Sequence, residues 1–192
     1  MQKISILKTT DIRFSYNSER QFEFPDLMVN KGEHLLVLGK SGRGKTTLLH
    51  LLAGFQKSQN GSIEIAKTVF NELNGVKRDV FRAQNIGVVF QVPHFISSLN
   101  LQQNILWAQK LARRKPNKSE VLKNLERLDL ADKAQAPVQR LSQGELQRAS
   151  IIRGIINKPV LVLADEPTSS LDDENCENVI KLLDEQTKRV GA

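Results

Sequence analysis

The chain has 192 residues, 40% of them apolar, a length and apolar share that fit one compact domain with a real core. Its 28 basic and 21 acidic residues leave a net charge of +7, which suits a polyphosphate ligand, an anionic surface or nucleic acid. Yet the basic residues are dispersed apart from Arg113, Arg114, Lys115 and Lys118, and aromatics make up only 5%, which argues against a stacking surface for single-stranded nucleic acid. No apolar run is long enough to span a bilayer, the one cysteine, Cys176, cannot form an internal disulfide, and no secretory signal opens the chain, so a cytosolic protein is expected.

In chain order, Ile4 and Ile6, then Ile12, Phe14 and Tyr16, then Phe22 and Phe24 alternate with polar residues and predict an antiparallel sheet. Asn30-Lys31-Gly32 is a turn, and Leu35 to Leu38 reads as a strand buried on both faces. A helix carrying Leu48, Leu49, Leu52 and Ala53 follows, then a turn at Asn60-Gly61 with Ile63 and Ile65 alternating after it. Ile86 to Phe90 and Val160 to Ala164 are two more buried strands, and strands separated by helices imply an α/β sheet. Between Gln91 and Gln143, Val121, Leu122, Leu125 and Leu128 fall at helical spacing after the break at Lys115-Pro116, which predicts an inserted helical lobe. Leu146, Ala149, Ile152 and Ile156 continue a helix after Gly144, and a last helix from about Asn175 to Lys188 carries the stripe Cys176, Val179, Ile180 and Leu183. The expected organisation is one domain over 1–192, with an α/β core that includes the antiparallel β subdomain over 1–90 and 151–192, and a helical subdomain over 91–150.

Two stretches carry chemistry. Gly39-Lys40-Ser41-Gly42-Arg43-Gly44-Lys45-Thr46 fits G-x-x-x-x-G-K-[ST] between a predicted strand and a helix. Its glycines let backbone N–H groups turn inward as an anion nest, and the helix N-terminus adds positive potential. Lys45 is expected at the β- and γ-phosphates and Thr46 on Mg²⁺, with Thr47 included in the nucleotide-binding set. Asp165-Glu166 ends the strand Val160 to Ala164, at the sheet edge where α/β proteins bind ligands. Asp165 is expected to hold the metal and Glu166 to take a proton from the attacking water.

Leu141-Ser142-Gln143-Gly144-Glu145-Leu146-Gln147-Arg148 resembles the signature L-S-G-G-Q-x-Q-R of the ABC ATPase family. The resemblance runs along essentially the whole chain, with Gln91 at the glutamine loop, Asp165-Glu166-Pro167-Thr168 at the Walker B motif and Ser170-Leu171-Asp172 at the D-loop. It implies a P-loop NTPase fold: a RecA-like core, an N-terminal antiparallel β subdomain and an inserted α-helical subdomain. It also implies that two cassettes close head to tail, with ATP between one copy's phosphate loop and the other's Ser142 and Gly144. By the same resemblance Tyr16 stands at the adenine-stacking position, Gln91 senses Mg²⁺ and the attacking water, and Asp172 belongs to the nucleotide site. The helical lobe would receive a transmembrane permease, which places the chain on the inner face of a bacterial cell membrane.

Departures from the family pattern are Gln143 and Glu145 in the signature and Arg43 in the phosphate loop. The family's switch histidine lies on a strand after the last helix, whereas His34, His50 and His94 all precede Asp165; the expectation is a fold truncated at its C-terminal end, with hydrolysis by this chain open. The leading expectation is an ATP-binding, ATP-hydrolysing transporter subunit resembling the lipoprotein-release and macrolide-export branch. The alternatives are a soluble ABC ATPase acting on nucleic acid or ribosomes, and a cassette that binds ATP without turnover. No nucleic-acid partner is expected.

Overall fold

A computed structural model describes residues 4–16, 21–40, 42–167 and 173–192, with the backbone alone for 173–176. Its first sheet is antiparallel, as the alternation predicts. The long strand β1 (Ser5–Ser15) pairs along one edge with β3 (Met28–Asn30) and β2 (Gln21–Glu23), and along the other with β4 (Asn60–Ile65), which pairs in turn with β5 (Thr68–Val69).

The buried side of β1 changes parity partway along. Leu7 and Thr9 point inward, then Ile12 and Phe14. The pairing with β4 shifts register between Thr10 and Arg13, and Asp11 has φ 50°, so one extra residue is inserted there as a bulge. Unbroken alternation would bury Ile4 and Ile6. Instead Ile4 is exposed, Ile6 is half-buried, and Leu7 takes the core position.

The second sheet holds two parallel strands, β6 (Ile86–Val89) and β7 (Leu161–Ala164), paired from Ile86 with Leu161 to Val89 with Ala164. Helix α2 (Gly75–Asn85) leads directly into β6. The predicted strand at Leu35 to Leu38 does not form: Leu36 and Leu38 are 78% and 82% exposed. A strand buried on both faces needs ladder partners and a cover on each face. Among the described residues this run joins no ladder, and it lines a groove of about 730 Å³ together with β7. The helix α6 (Asp173–Val190) borders the same groove, which explains a second correction. Val179 is buried as its stripe predicts, but Ile180 is 54% exposed, because it faces the uncovered groove. Cys176 belongs to that stripe and lies outside the described side chains.

Helix α1 (Lys45–Leu52) buries Leu48, Leu51 and Leu52 in the core beneath both sheets, with Phe70, Ile63 and Leu161. A second core joins α3 (Leu101–Leu111), α4 (Lys118–Arg127) and α5 (Gln143–Ile155) through Leu101, Ile105, Val121, Leu125, Ala149 and Ile152. Helix α3 starts on a capping box, with Asn100 accepting from the Gln103 N–H and Gln103 accepting from the Asn100 N–H. A third cluster, Val89, Ile151, Ile155 and Val179, packs α5 between β6 and α6. The close fit depends on Gly87, where a Cβ would sit on the Gly154 carbonyl oxygen.

Candidate functional site

The phosphate-loop residues gather at one end of α1. Gly44, its N-cap, has φ 92° and ψ 13°, a left-handed conformation that glycine alone adopts without strain. A Cβ at that position would also stand 2.7 Å from Phe22 Cδ1 and 2.9 Å from Phe22 Cε1. The first turn of α1 contains no acidic residue, which leaves its N-terminal potential free to attract an anion. Gly39, Lys40, Gly42 and Arg43 precede it in irregular backbone tightened by an Arg43 N–H bond to the Lys40 carbonyl at 3.3 Å. Ser41 lies outside the described residues.

The two motifs, 119 residues apart in sequence, meet here. Thr46 Oγ1 donates to Asp165 Oδ1 at 3.3 Å, and Lys45 Nζ stands 3.5 Å from Glu166 Oε1 while donating to the Gly39 carbonyl at 3.0 Å. Asp165 is fixed from the sheet by its backbone N–H, which donates to the Val89 carbonyl at 3.0 Å. Gln91 follows two residues after Val89, so β6 delivers it to the edge at which β7 delivers Asp165 and Glu166; its own side chain is exposed. A hydroxyl and a carboxylate at hydrogen-bond distance form an oxygen donor pair that suits Mg²⁺, which takes one or two protein oxygens and completes its shell with phosphate and water. Thr46 and Asp165 therefore fit the metal that the chemistry calls for.

Tyr16 reaches the same corner from β1. Its hydroxyl shares a hydrogen bond with Thr47 Oγ1 at 3.2 Å, its ring meets Phe14 edge-on at 4.8 Å between centroids, and 53% of the residue remains exposed. Glu166 has φ 42°, an uncommon conformation for a residue with a side chain, and its successor is Pro167.

Ser142 and Gly144 stand apart from this cluster, at the N-terminus of α5. Ser142 is the N-cap of a capping box: its Oγ accepts from the Glu145 N–H at 3.3 Å, and Glu145 Oε2 accepts from the Ser142 N–H at 2.7 Å. Lys133 Nζ lies 3.6 Å from Glu145 Oε1. The Ser142 N–H holds the Glu145 carboxyl below its ordinary range against the opposing effect of burial, with the Ser142 hydroxyl and Lys133 acting the same way. Glu145 thus serves the helix cap. Asp172 lies outside the described residues.

Three contacts around the site have no assigned role in the sequence reading. Gln147, buried on α5, donates from Nε2 to the Pro167 carbonyl at 2.8 Å and so joins the signature helix to the carboxylate loop. Arg153, further along α5, donates to the His94 carbonyl and lies 4.4 Å from the Phe95 ring centroid, holding the segment after Gln91; burial lowers its pKa to about 10. His34 Nε2 faces Asp184 Oδ1 at 3.3 Å and ties the start of the Leu35 to Leu38 run to α6.

Comparison with known proteins identifies the family and the fold. The ABC transporter family model matches residues 23–169. The lipoprotein-releasing system ATP-binding protein LolD of Buchnera aphidicola is 34% identical over 174 residues, covering 90% of this chain and 75% of its own. LolD of Hydrogenovibrio crunogenus is 37% identical over 161 residues, covering 82% and 70%. Among solved structures, the dimeric bacterial ABC transporter cassette MJ0796 superposes with a TM-score of 0.84 at 26% identity, over 97% of this chain and 84% of that one. The same cassette in a dimeric post-hydrolysis state with ADP and phosphate gives a TM-score of 0.83 over the same shares. The chain belongs to the ABC transporter family, as an ATP-binding ATPase cassette of its P-loop fold.

Proposed function

We propose that the chain binds Mg-ATP at the cluster of Lys45, Thr46, Asp165 and Glu166, and that hydrolysis there powers transport through separate membrane subunits. The observation that carries the reading is the meeting of phosphate loop and carboxylate pair at one sheet edge, with Lys45 and Glu166 3.5 Å apart. The phosphate oxygens of ATP would replace Gly39 and Glu166 as partners of Lys45, and the N–H groups of the loop from Gly39 to Thr47 would hold the remaining charge. Thr46, Asp165 and Gln91 would hold Mg²⁺, which would supply positive charge to offset the negative charge of the phosphate oxygens. Glu166, released from Lys45, accepts the proton of a water that attacks the γ-phosphorus as the bond to the ADP oxygen breaks; Gln91 orients that water. Tyr16 supplies the adenine platform.

A second copy would complete the site by presenting Ser142 and Gly144, with Asp172 near the junction of the two copies, and the dimeric MJ0796 cassettes support this arrangement. Among the described residues no helix is long and apolar enough to cross a membrane, so a peripheral place on the inner face of the bacterial membrane needs a permease partner, docked on the helical subdomain. The relatives' role in lipoprotein release points to a lipoprotein-releasing or similar export system.

Mg-ATP binding and phosphate release, measured together, test the reading. Lys45→Ala should abolish binding, while Glu166→Gln should retain binding, lose phosphate release and sediment as an ATP-dependent dimer. Unchanged binding by Lys45→Ala would refute the assignment of the site.

A further inference from the structure

We infer that Gln147 is a positioning residue for the hydrolytic carboxylate: its side chain holds the Glu166-Pro167 backbone in the conformation that aims Glu166 into the nucleotide site. The inference rests on the reading of Glu166 given above and adds a residue to it.

Glu166 is held at φ 42°. A residue with a Cβ populates that region sparsely, and one that precedes proline is further restricted in its backbone, so the conformation persists only where the surroundings over-determine it. Two bonds do so. Upstream, the Asp165 N–H donates to the Val89 carbonyl at 3.0 Å and anchors the turn to the sheet. Downstream, Gln147 Nε2 donates to the Pro167 carbonyl at 2.8 Å, and Pro167 has a fixed φ of its own. Of these two holds, only Gln147 comes from outside the sheet.

The Gln147 side chain is suited to the task. The residue is 4% exposed, so its amide exchanges no partners with water, and losing the donor strands a carbonyl at the turn. It lies on α5, five residues after the N-cap Ser142, about 7.5 Å along the axis. The helix whose N-terminus carries the signature therefore also sets the carboxylate of its own subunit. A displacement of α5 would reach the Glu166-Pro167 turn directly through this bond.

The test uses the whole chain with Gln147→Met, which keeps length and removes the donor, and Gln147→Glu. For Gln147→Met, kcat should fall on the order of 10–100-fold, the cost of a slightly misplaced reacting group, while KM for ATP stays within about twofold. In Gln147→Glu a buried carboxyl stays protonated to raised pH, and its O–H can then donate to the Pro167 carbonyl. The ratio of its kcat to that of the wild type should rise between about pH 8 and about pH 6, a dependence that a loss of packing does not produce. Amide exchange at Asp165, which needs no turnover, should quicken about tenfold or more in Gln147→Met relative to β1 amides. Unchanged exchange at Asp165 overturns the inference, and so does an unchanged kcat in Gln147→Met where Glu166→Gln is inactive. If Glu166→Gln itself turns over normally, the reading of Glu166 is what fails. If Gln147→Met does not fold, the pH ratio of Gln147→Glu decides, and a flat ratio overturns the inference.

Discussion

Substituting Gly44 by alanine tests the phosphate loop through two separable costs. The first is conformational: at φ 92° an alanine enters the left-handed region, at about 1–2 kcal/mol. The second is steric. The new Cβ would stand 2.7 and 2.9 Å from two Phe22 ring carbons and 3.3 Å from Phe24 Cε1, well inside the optimal carbon separation of about 3.5–4.0 Å. Pushing the Phe22 ring aside costs about 1–3 kcal/mol, as overpacking does elsewhere. Gly44→Ala should therefore lose about 2–5 kcal/mol, a drop in melting temperature of roughly 4–20 °C for a chain of this size. The assay is thermal or urea unfolding of Gly44→Ala, Phe22→Ala and the double variant, with ATP affinity measured alongside. In the Phe22→Ala background only the conformational part should remain, about 1–2 kcal/mol. Equal losses in both backgrounds would show that Phe22 does not set the limit, and no loss in either would refute the left-handed N-cap.

Gly87→Ala should destabilise by about 3 kcal/mol or more in urea unfolding, because the neighbour it strikes is the Gly154 backbone of α5, which cannot rotate away as a side chain can. Glu120→Ala should cost about 1–3 kcal/mol by the same measurement, since Glu120 Oε2 accepts from Gln109 at 2.7 Å and from Arg114 at 2.9 Å, and Gln109 is fully buried. For Glu145 the folded pKa lies below the unfolded one, so its contribution is present above the ordinary carboxylate value and is lost as pH falls through the lowered folded value. Glu145→Gln keeps the capping box and removes that titration. The melting-temperature difference between wild type and Glu145→Gln should hold steady near neutral pH and change only below about pH 4.3.

Much of the fold is legible because burial imposes a period on the sequence. The strands at Ile63 to Ile65, Ile86 to Val89 and Leu161 to Ala164, and the helices after Gly44 and Ser142, lie where apolar spacing and punctuation put them. The failures have a common cause in partners that sequence does not specify. Alternation assumes an unbroken ladder, and the bulge at Asp11 shifts the N-terminal half of β1 by one residue, trading Ile6 for Leu7. The Leu35 to Leu38 run has the composition of a central strand, but composition states only that the residues tolerate burial, and no ladder forms on them here. Helix α2 does carry a short stripe, Val76, Val80 and Ala83 at i, i+4 and i+7, with Phe81 packed against the first core, but none of its residues is fully buried and the stripe is only about two turns long.

The site divides along a different line. Residues that touch phosphate or metal advertise themselves, since few side chains perform those tasks and backbone geometry fixes their spacing; Lys45, Thr46, Asp165 and Glu166 come together as their motifs imply. Residues that hold those groups in place carry no such mark. Glu145 stands out in the sequence only as a departure from the family signature, and in the structure it closes a capping box on Ser142 and pairs with Lys133. Gln147 reads as one letter of a signature until its 2.8 Å bond to Pro167 is set beside the strained φ of Glu166. In the proposed reading Glu166 is the hydrolytic carboxylate, and its φ of 42° is a conformation that persists only where the surroundings hold it. The proposed hold comes from the helix whose N-terminus is read as the neighbour's phosphate contact, which makes Gln147→Met, rather than a further change at Glu166, the substitution expected to separate binding from chemistry.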